Sequence, residues 1–545
     1  MSELIRSTLG DWMEHISAKY PDTDALVYND RGLSMTYREF NAECRRVAKA
    51  FYALGVRKGD NVAIWAPNVP EWALTAFGAT KIGAVLVTVN TNYKIFELEY
   101  LVRQSDSKVL LFSDGIKGAD YHAIVAELLE NRDRVPVLEH VIHLPKFDGS
   151  SPAAAAGLSD WDALMALADT VSDETLDAVM AELDPDDVIN MQYTSGTTGF
   201  PKGVCLTHYN VLNNGKAIGD CMKFTEKDRL CIPVPFFHCF GLVLAMMSCV
   251  THGSTMVPVE VYSPTQVMKT IQEQHCTAVH GVPTMFIFML EHEDFSKYDF
   301  STLRTGIMAG ATCPVEVMKS VQSLMNMTEI VITYGQTESS PAITMSQTDD
   351  PLDLRVSTVG RTIPDVEAKV VDPETWVEVP RGTPGEIVAR GYNIMKGYYK
   401  MPEATAAAID EDGWLHTGDI GIEDENGYFS ITGRIKDMII RGGENIYPRE
   451  IEELLYTHPD VKDVQVVAVP SQKLGEEVCA FVIPREDVTL TEDGVKDFVR
   501  QRMSRHKVPS YILFCDLFPM TASGKIQKYK LREMALEELK LLKNI

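Results

Sequence analysis

The chain of 545 residues is predicted to be an α/β protein: a large N-terminal part of two doubly wound sheets plus a small β-rich subdomain, followed by a small α+β C-terminal domain. Three observations lead there. Helix-periodic and strand-periodic stretches alternate through residues 36–144 and again through 229–333. The texture changes to short β runs punctuated by Pro373, Gly382, Pro384 and Gly385 across 367–390, and beyond Arg434 the order becomes helix, strand, strand, helix. A chain of this length is too long for one core and long enough for roughly two to four domains. The boundary is expected near Lys436, giving 1–435 and 436–545.

Taken in order, Thr36 and Glu39 have capping-box spacing, and Tyr37, Phe40, Cys44, Val47, Phe51 and Leu54 follow at three- and four-residue steps, which predicts an amphipathic helix. A strand at 61–65, a helix opened by Pro70 and a β-branched strand at 85–89 make a βαβ unit. The rhythm repeats as helix 96–104, strand 108–112, helix 121–131 and strand 140–144, so a parallel sheet is expected. Residues 145–160 read as a connecting loop. A second sheet is expected from strands near 229–234, 254–257, 277–281, 304–308 and 329–333. The C-terminal part should hold helix 448–456, strands 464–469 and 478–484, and helix 494–503.

Composition narrows the function. With 45% hydrophobic and 23% charged residues the chain is of ordinary globular type. A net charge of −26 repels phosphates on average, which argues against nonspecific binding to nucleic acid or to an anionic membrane. The ten cysteines form no CxxC pair, and no histidines stand at metal-ligand spacing, so neither a zinc site nor a disulfide framework is suggested and a reducing cytoplasm fits. Residues 1–22 contain no apolar signal core, and the longest apolar stretch, 241–250, is too short to span a bilayer. The oligomeric state stays open, a homodimer included.

The densest chemical signal is YTSGTTGFPKG at 193–203. Its glycines permit close backbone approach, the hydroxyls of Thr194, Ser195, Thr197 and Thr198 can donate to phosphate oxygens, and Lys202 adds a positive charge, with Gly196 and Gly199 inside the turn. It lies between strand-like runs 188–194 and 204–207 and should project from a sheet edge. It is not a P-loop NTPase motif, because no Gly-Lys-Ser/Thr follows at the required spacing, and Gly524-Lys525-Ile526 fails as well. A second cluster, YGQTES at 334–339, follows a predicted strand at its C-terminal end, where doubly wound sheets collect ligands. There Tyr334 offers a stacking face and Glu338 a hard oxygen for Mg²⁺, beside Gly335, Gln336 and Thr337. GWLHTGD at 413–419 supplies the carboxylate of Asp419, and Arg434 follows fifteen residues on with a planar donor fork. His238, flanked by Phe236, Phe237 and Phe240, reads either as a core histidine or as a gating residue.

The loop at 193–203 resembles the signature loop of the adenylate-forming superfamily, and the later blocks follow in that superfamily's order, so that the chain looks like an acyl-CoA synthetase. The resemblance implies that ATP, CoA and a small-molecule carboxylic acid are substrates, with Mg²⁺ on Glu338. It further implies that Gly310 and Ala311 of the AGAT segment face adenine, Asp419 the ribose hydroxyls and Arg434 ribose or phosphate. Lys436 matches the position about which the family's mobile small domain rotates, Gly442 and Gly443 border the pantetheine channel, and Lys525 in TASGKIQK stabilises charge as the acyl-adenylate forms. Lys525, His238, Arg434 and Thr198 make up the expected catalytic set. Acetate-specific members commonly carry Trp where this chain has Gly335, which points to a medium- to long-chain fatty acid, with an aryl acid as the alternative. Phe240, Val282, Met285, Met308 and Ile343 are candidate pocket walls. A carrier-loading adenylation domain, a luciferase and a non-catalytic nucleotide-binding protein are further alternatives, the last opposed by the retention of Glu338, Asp419 and Lys525.

Overall fold

A computed structural model of the chain describes residues 3–116, 118–148, 158–194, 201–311, 313–442, 444–471, 473–486, 488–521 and 525–539. Two compact units emerge, Met1–Glu367 with Ala389–Leu415, and Ala368–Val388 with His416–Ile545. Lys436 lies inside the second, in the one-turn helix Ile435–Asp437. No helix among the described residues is long and apolar enough to cross a membrane.

The first unit contains both expected doubly wound sheets. One runs in the order Gly397–Tyr398, Lys202–Thr207, Val188–Thr194, Val85–Thr88, Asn61–Trp65, Ser107–Ser113, His140–Leu144, Ser159–Asp160. Its central strands are parallel, as expected, and the box-capped helix Tyr37–Ala53 and the Pro70-led helix Pro70–Thr80 form where the sequence signals them. The sheet is not wholly parallel, however. Val188–Thr194 and Lys202–Thr207 pair antiparallel with Thr194 opposite Lys202, because so short a connection can close only a hairpin. Since that hairpin is flanked by Val85–Thr88 and Gly397–Tyr398, it lies within the sheet rather than at its side edge.

The second sheet has the order Glu329–Val331, Thr305–Ile307, Ala278–Val279, Arg229–Ile232, Thr255–Pro258, Asp24–Tyr28, Leu33–Thr36. The five expected strands are present, and two N-terminal strands join them. Leu26 pairs with Met256, a contact across most of the unit's length that local periodicity does not signal.

The apolar stretch after His238 folds as a buried π-helix, Phe240–Met247, a rare form that frequently marks functional sites. His280 braces it. The imidazole is fully buried, accepts the Ile307 N–H at Nδ1 (3.2 Å) and so carries its proton on Nε2, which donates to the Leu244 carbonyl at 3.2 Å. Burial pulls its pKa down to about 4, against the opposing pull of that carbonyl.

The second unit is built on two sheets. One has the order Val366–Val371, Gly385–Gly391, Leu415–Glu423, Phe429–Arg434, consistent with the expected β-rich segment. The other joins Glu444–Ile446, Ile439–Arg441, Gly475–Pro484 and Val461–Ser471, with Tyr511–Phe514 parallel to Gly475–Pro484. Helices Pro448–Tyr456 and Glu492–Arg500 cover it, burying Ile451, Leu455, Val495 and Val499 in one core with Val464, Val466, Val478 and Val482.

The depressed pKa of His280 makes stability depend on pH. Below about 6.5 the unfolded chain takes up a proton that the folded imidazole refuses until about pH 4, so its contribution is present above 6.5 and is lost as pH falls towards 4. Buried His208, lowered to about 3, acts in the same sense. Between pH 7 and pH 5 His280 should cost about 2 kcal/mol. Urea midpoints of wild type and His280→Gln at those two pH values measure it: the variant should lose less on acidification, and equal losses would remove His280 as the source.

Candidate active site

In the first unit the hairpin presents Thr194 and Lys202 directly opposite each other at the mouth of the glycine-rich turn. Ser195, Gly196, Thr197, Thr198 and Gly199 lie outside the described residues. Both flanks are held: the Tyr193 hydroxyl donates to the Gln104 side chain, and that of Tyr100 donates to the Pro201 carbonyl at 3.0 Å.

The second cluster sits on a small antiparallel sheet, where Thr333–Gly335 pairs with Ala342–Met345 and Tyr334 stands opposite Thr344. The chain then turns into a single helical turn, Thr337–Ser339, capped by Gln336, whose N–H donates to Ser339 Oγ at 3.1 Å. This turn buries Glu338 to 9% exposure. A buried carboxylate needs a partner, and the Tyr398 hydroxyl donates to its Oε1 at 2.8 Å. The same ring lies beneath Lys202, whose Nζ is 4.7 Å from the ring centroid. Thus one tyrosine, unmarked by any sequence signal, touches both the candidate phosphate-binding lysine and the candidate metal ligand.

His238 is half-buried rather than sealed in the core. Its Nδ1 accepts the Phe240 N–H at 3.1 Å, and the neighbouring Cys239 Sγ lies 3.7 Å from Thr337 Oγ1, which ties the start of the π-helix to the YGQTES turn. Gly310 and Ala311 are exposed just beyond strand Thr305–Ile307, with Gly310 at φ +87°. Gly335 is also exposed, at φ +156°, and a Cβ there would stand 1.9 Å from the Pro341 carbonyl oxygen. Any side chain at 335 must therefore displace the Pro341 backbone. The candidate walls Phe240, Val282, Met285, Met308 and Ile343 are all buried, Met308 among the core residues under the second sheet.

In the second unit the hairpin of Leu415–Glu423 and Phe429–Arg434 places Asp419 opposite Arg434. Arg434 Nε donates to Asp419 Oδ1 at 2.8 Å, and Asp419 is buried while the guanidinium is half exposed. The pair therefore joins a carboxylate acceptor to a donor fork, the complement of a ribose-phosphate edge. Lys436 and Gly442 are exposed, the latter at φ +61° with its N–H donating to the Leu474 carbonyl, and Gly443 lies outside the described residues. Arg441 is committed to the fold by bonds to the His506 and Val508 carbonyls, Ser510 and Glu477. Exposed Lys525 is bonded to Thr521: its carbonyl accepts the Thr521 N–H at 2.7 Å and its N–H donates to Thr521 Oγ1 at 3.0 Å.

One cluster contradicts the absence of a histidine grouping read from spacing. Asp114, His122 and His143 converge from a strand end, a helix and the neighbouring strand. Both Nε2 atoms lie on a single oxygen, Asp114 Oδ1, at 2.8 and 2.7 Å. Zinc held at its usual bond lengths in tetrahedral geometry would spread its donors to about 3.3 Å. The contacts are thus those of two N–H donors satisfying one buried carboxylate.

Known proteins resemble the chain over nearly its whole length. The family model described as AMP-binding enzyme matches residues 13–399, and that of the AMP-binding enzyme C-terminal domain matches 450–525. The chain is 52% identical to the "Putative acyl-CoA synthetase YngI" of Bacillus subtilis (strain 168) over 99% of both proteins. It is 37% identical to the mitochondrial medium-chain acyl-CoA ligase ACSF2 of Bos taurus over 99% of this chain and 89% of that one. Among solved structures, that of the anthranilate CoA ligase AuaEII in complex with anthranoyl-AMP superposes with a TM-score of 0.87 at 26% identity, covering 98% of each chain. The chain belongs to the AMP-binding enzyme family, in the acyl-CoA synthetase branch of the adenylate-forming superfamily, and is an acid–thiol ligase.

Proposed function

We propose that the enzyme activates a medium- to long-chain fatty acid in two steps: the carboxylate attacks the α-phosphorus of ATP to give acyl-AMP and pyrophosphate, and the thiol of CoA then displaces AMP to give the thioester. The observation that carries the reading is the grouping of Lys202 and Glu338 about Tyr398, Lys202 closing a sequence rich in hydroxyls and glycines. Thr194, Ser195, Thr197, Thr198 and Lys202 hold phosphate oxygens, Gly310, Ala311 and Tyr334 border the base, and Asp419 with Arg434 binds ribose and phosphate. The buried carboxylate of Glu338 is a hard oxygen donor that fits Mg²⁺, which supplies charge neutralisation to the triphosphate when bound. His238 borders the carboxylate, Gly442 and Gly443 the pantetheine arm. Ten free cysteines suit a reducing compartment, and we assign the cytoplasm.

The acyl length rests on Gly335, which leaves open the place that an indole occupies in acetate-specific relatives, and is supported by the medium-chain acyl-CoA ligase named among the relatives. The aryl-acid reading is supported by the likeness to an anthranilate CoA ligase. Because a side chain at 335 collides with the Pro341 carbonyl, Gly335→Trp would report backbone strain as well as pocket length.

Chain length is therefore tested with acids and at a wall residue. Pyrophosphate and AMP release with acetate, butyrate, octanoate, palmitate and benzoate should show kcat/KM rising with length, each buried methylene adding about 0.8 kcal/mol until the pocket ends. Met285→Ala should move the optimum to a longer acid. A preference for acetate, or for benzoate over octanoate, would overturn the fatty-acid assignment.

Lys525 separates the two steps. Its ammonium stabilises charge that develops only as the anhydride forms, so Lys525→Ala should slow adenylation by roughly 10² to 10³. Thioester formation from supplied acyl-AMP should be far less affected. Equal losses in both half-reactions would take this role from Lys525.

A further inference from the structure

Resting on the proposed ATP-dependent reaction, we propose that Tyr398 is a positioning residue that sets the metal ligand and the phosphate lysine together: its hydroxyl fixes one oxygen of Glu338 and leaves the other for a divalent cation, while its ring face holds the Lys202 ammonium. The ring is well placed to do so because its backbone is sewn to the hairpin that carries the phosphate turn. Tyr398 pairs antiparallel with Val204 and Gly397 with Cys205, immediately beyond Lys202. The Lys396 N–H donates to the Cys205 carbonyl at 3.0 Å and the Tyr399 N–H to the Gly203 carbonyl at 2.8 Å, so Tyr398 is held from both sides. Its own N–H donates to Thr405 Oγ1 at 2.9 Å. The same segment also grips the other partner, since the Met395 N–H donates to the Glu338 carbonyl at 2.8 Å.

Two contacts of different kind meet on one side chain. Among the described residues the Tyr398 hydroxyl is the hydrogen-bond donor to the Glu338 carboxylate, at 2.8 Å and on Oε1 alone. Partners behind a metal ligand fix its orientation, and their loss typically weakens metal binding by about 10- to 100-fold. The cation–π contact to Lys202, with Nζ 4.7 Å from the centroid, is weaker and involves no metal. Hydroxyl and ring are thus separable by substitution: Tyr398→Phe removes the first, and Tyr398→Leu removes both.

The test uses the full chain and two binding measurements, neither of which requires turnover. Free Mn²⁺, followed by its electron paramagnetic resonance signal in the presence of ATP, reports the metal. Calorimetric ATP binding in EDTA reports the metal-free phosphate grip. Tyr398→Phe should weaken Mn²⁺ by about 10-fold and leave ATP in EDTA within about 2-fold. Tyr398→Leu should further weaken ATP in EDTA by about 3-fold. In a double-mutant cycle the metal effect of Tyr398→Phe should disappear in a Glu338→Gln background, which a general loosening of the fold would not produce. Wild type that binds Mn²⁺ and ATP, with Tyr398→Phe unchanged or with equal losses in both measurements, would overturn the role of Tyr398 alone. Wild type that binds no ATP under either condition would overturn the proposed reaction and this inference with it.

Discussion

Donors that are to converge on one ligand need a backbone that cannot drift, and in the first unit the register of one hairpin fixes the backbone on either side of the glycine-rich segment. Thr194 opposite Lys202 fixes the span of the turn, and Val85–Thr88 on one side and Gly397–Tyr398 on the other lock the hairpin into a sheet whose neighbours are buried. A strand slip of one residue would turn Lys202 to the opposite face. The hydroxyls of Tyr100 and Tyr193, each bonded across to another element, make that slip costlier still.

The parts legible in the sequence are those whose cause is local. Thr36 and Glu39 specify a helix start because the box closes within four residues, and Pro70 does the same because its ring suits the first turn. The Pro448–Tyr456 helix and the strands around it follow from periodicity alone. The parallel strands of both sheets are readable for the same reason, whereas the antiparallel pairing of 202–207 depends on connection length as well as strand content. Asp24–Tyr28 joins the sheet through Thr255–Pro258, more than two hundred residues away, and Leu33–Thr36 is added at the edge by pairing with Asp24–Tyr28, so their place in the sheet carries no periodic signal.

Site chemistry divides along the same line. Lys202, Glu338, Asp419 and Arg434 stand out in motif strings, but the contacts that orient them do not. Asp419 meets Arg434 because a hairpin puts them in register, which a spacing of fifteen residues suggests only once the hairpin is known. Tyr398 sits in a short strand of two residues and has no motif of its own, and the trio of Asp114, His122 and His143 is dispersed over three elements. In each case the missing information is tertiary, the identity of the strand or turn that lies alongside.

The π-helix shows how packing and chemistry constrain each other. Phe240–Met247 is apolar throughout and buried on every side, so its form is set by what surrounds it rather than by one amphipathic face. His280 reaches from the second sheet to the Leu244 carbonyl, and the Cys239 thiol meets Thr337 at the other end. A neutral imidazole suits the first contact, since a buried cation would need a counter-charge that an amide carbonyl does not supply. The segment that carries His238 is in this way fastened at one end to the sheet core and at the other to the turn that buries Glu338. The position of His238 is consequently a property of the whole first unit: Cys239 contacts its ring directly, while a substitution at His280 reaches it through the π-helix.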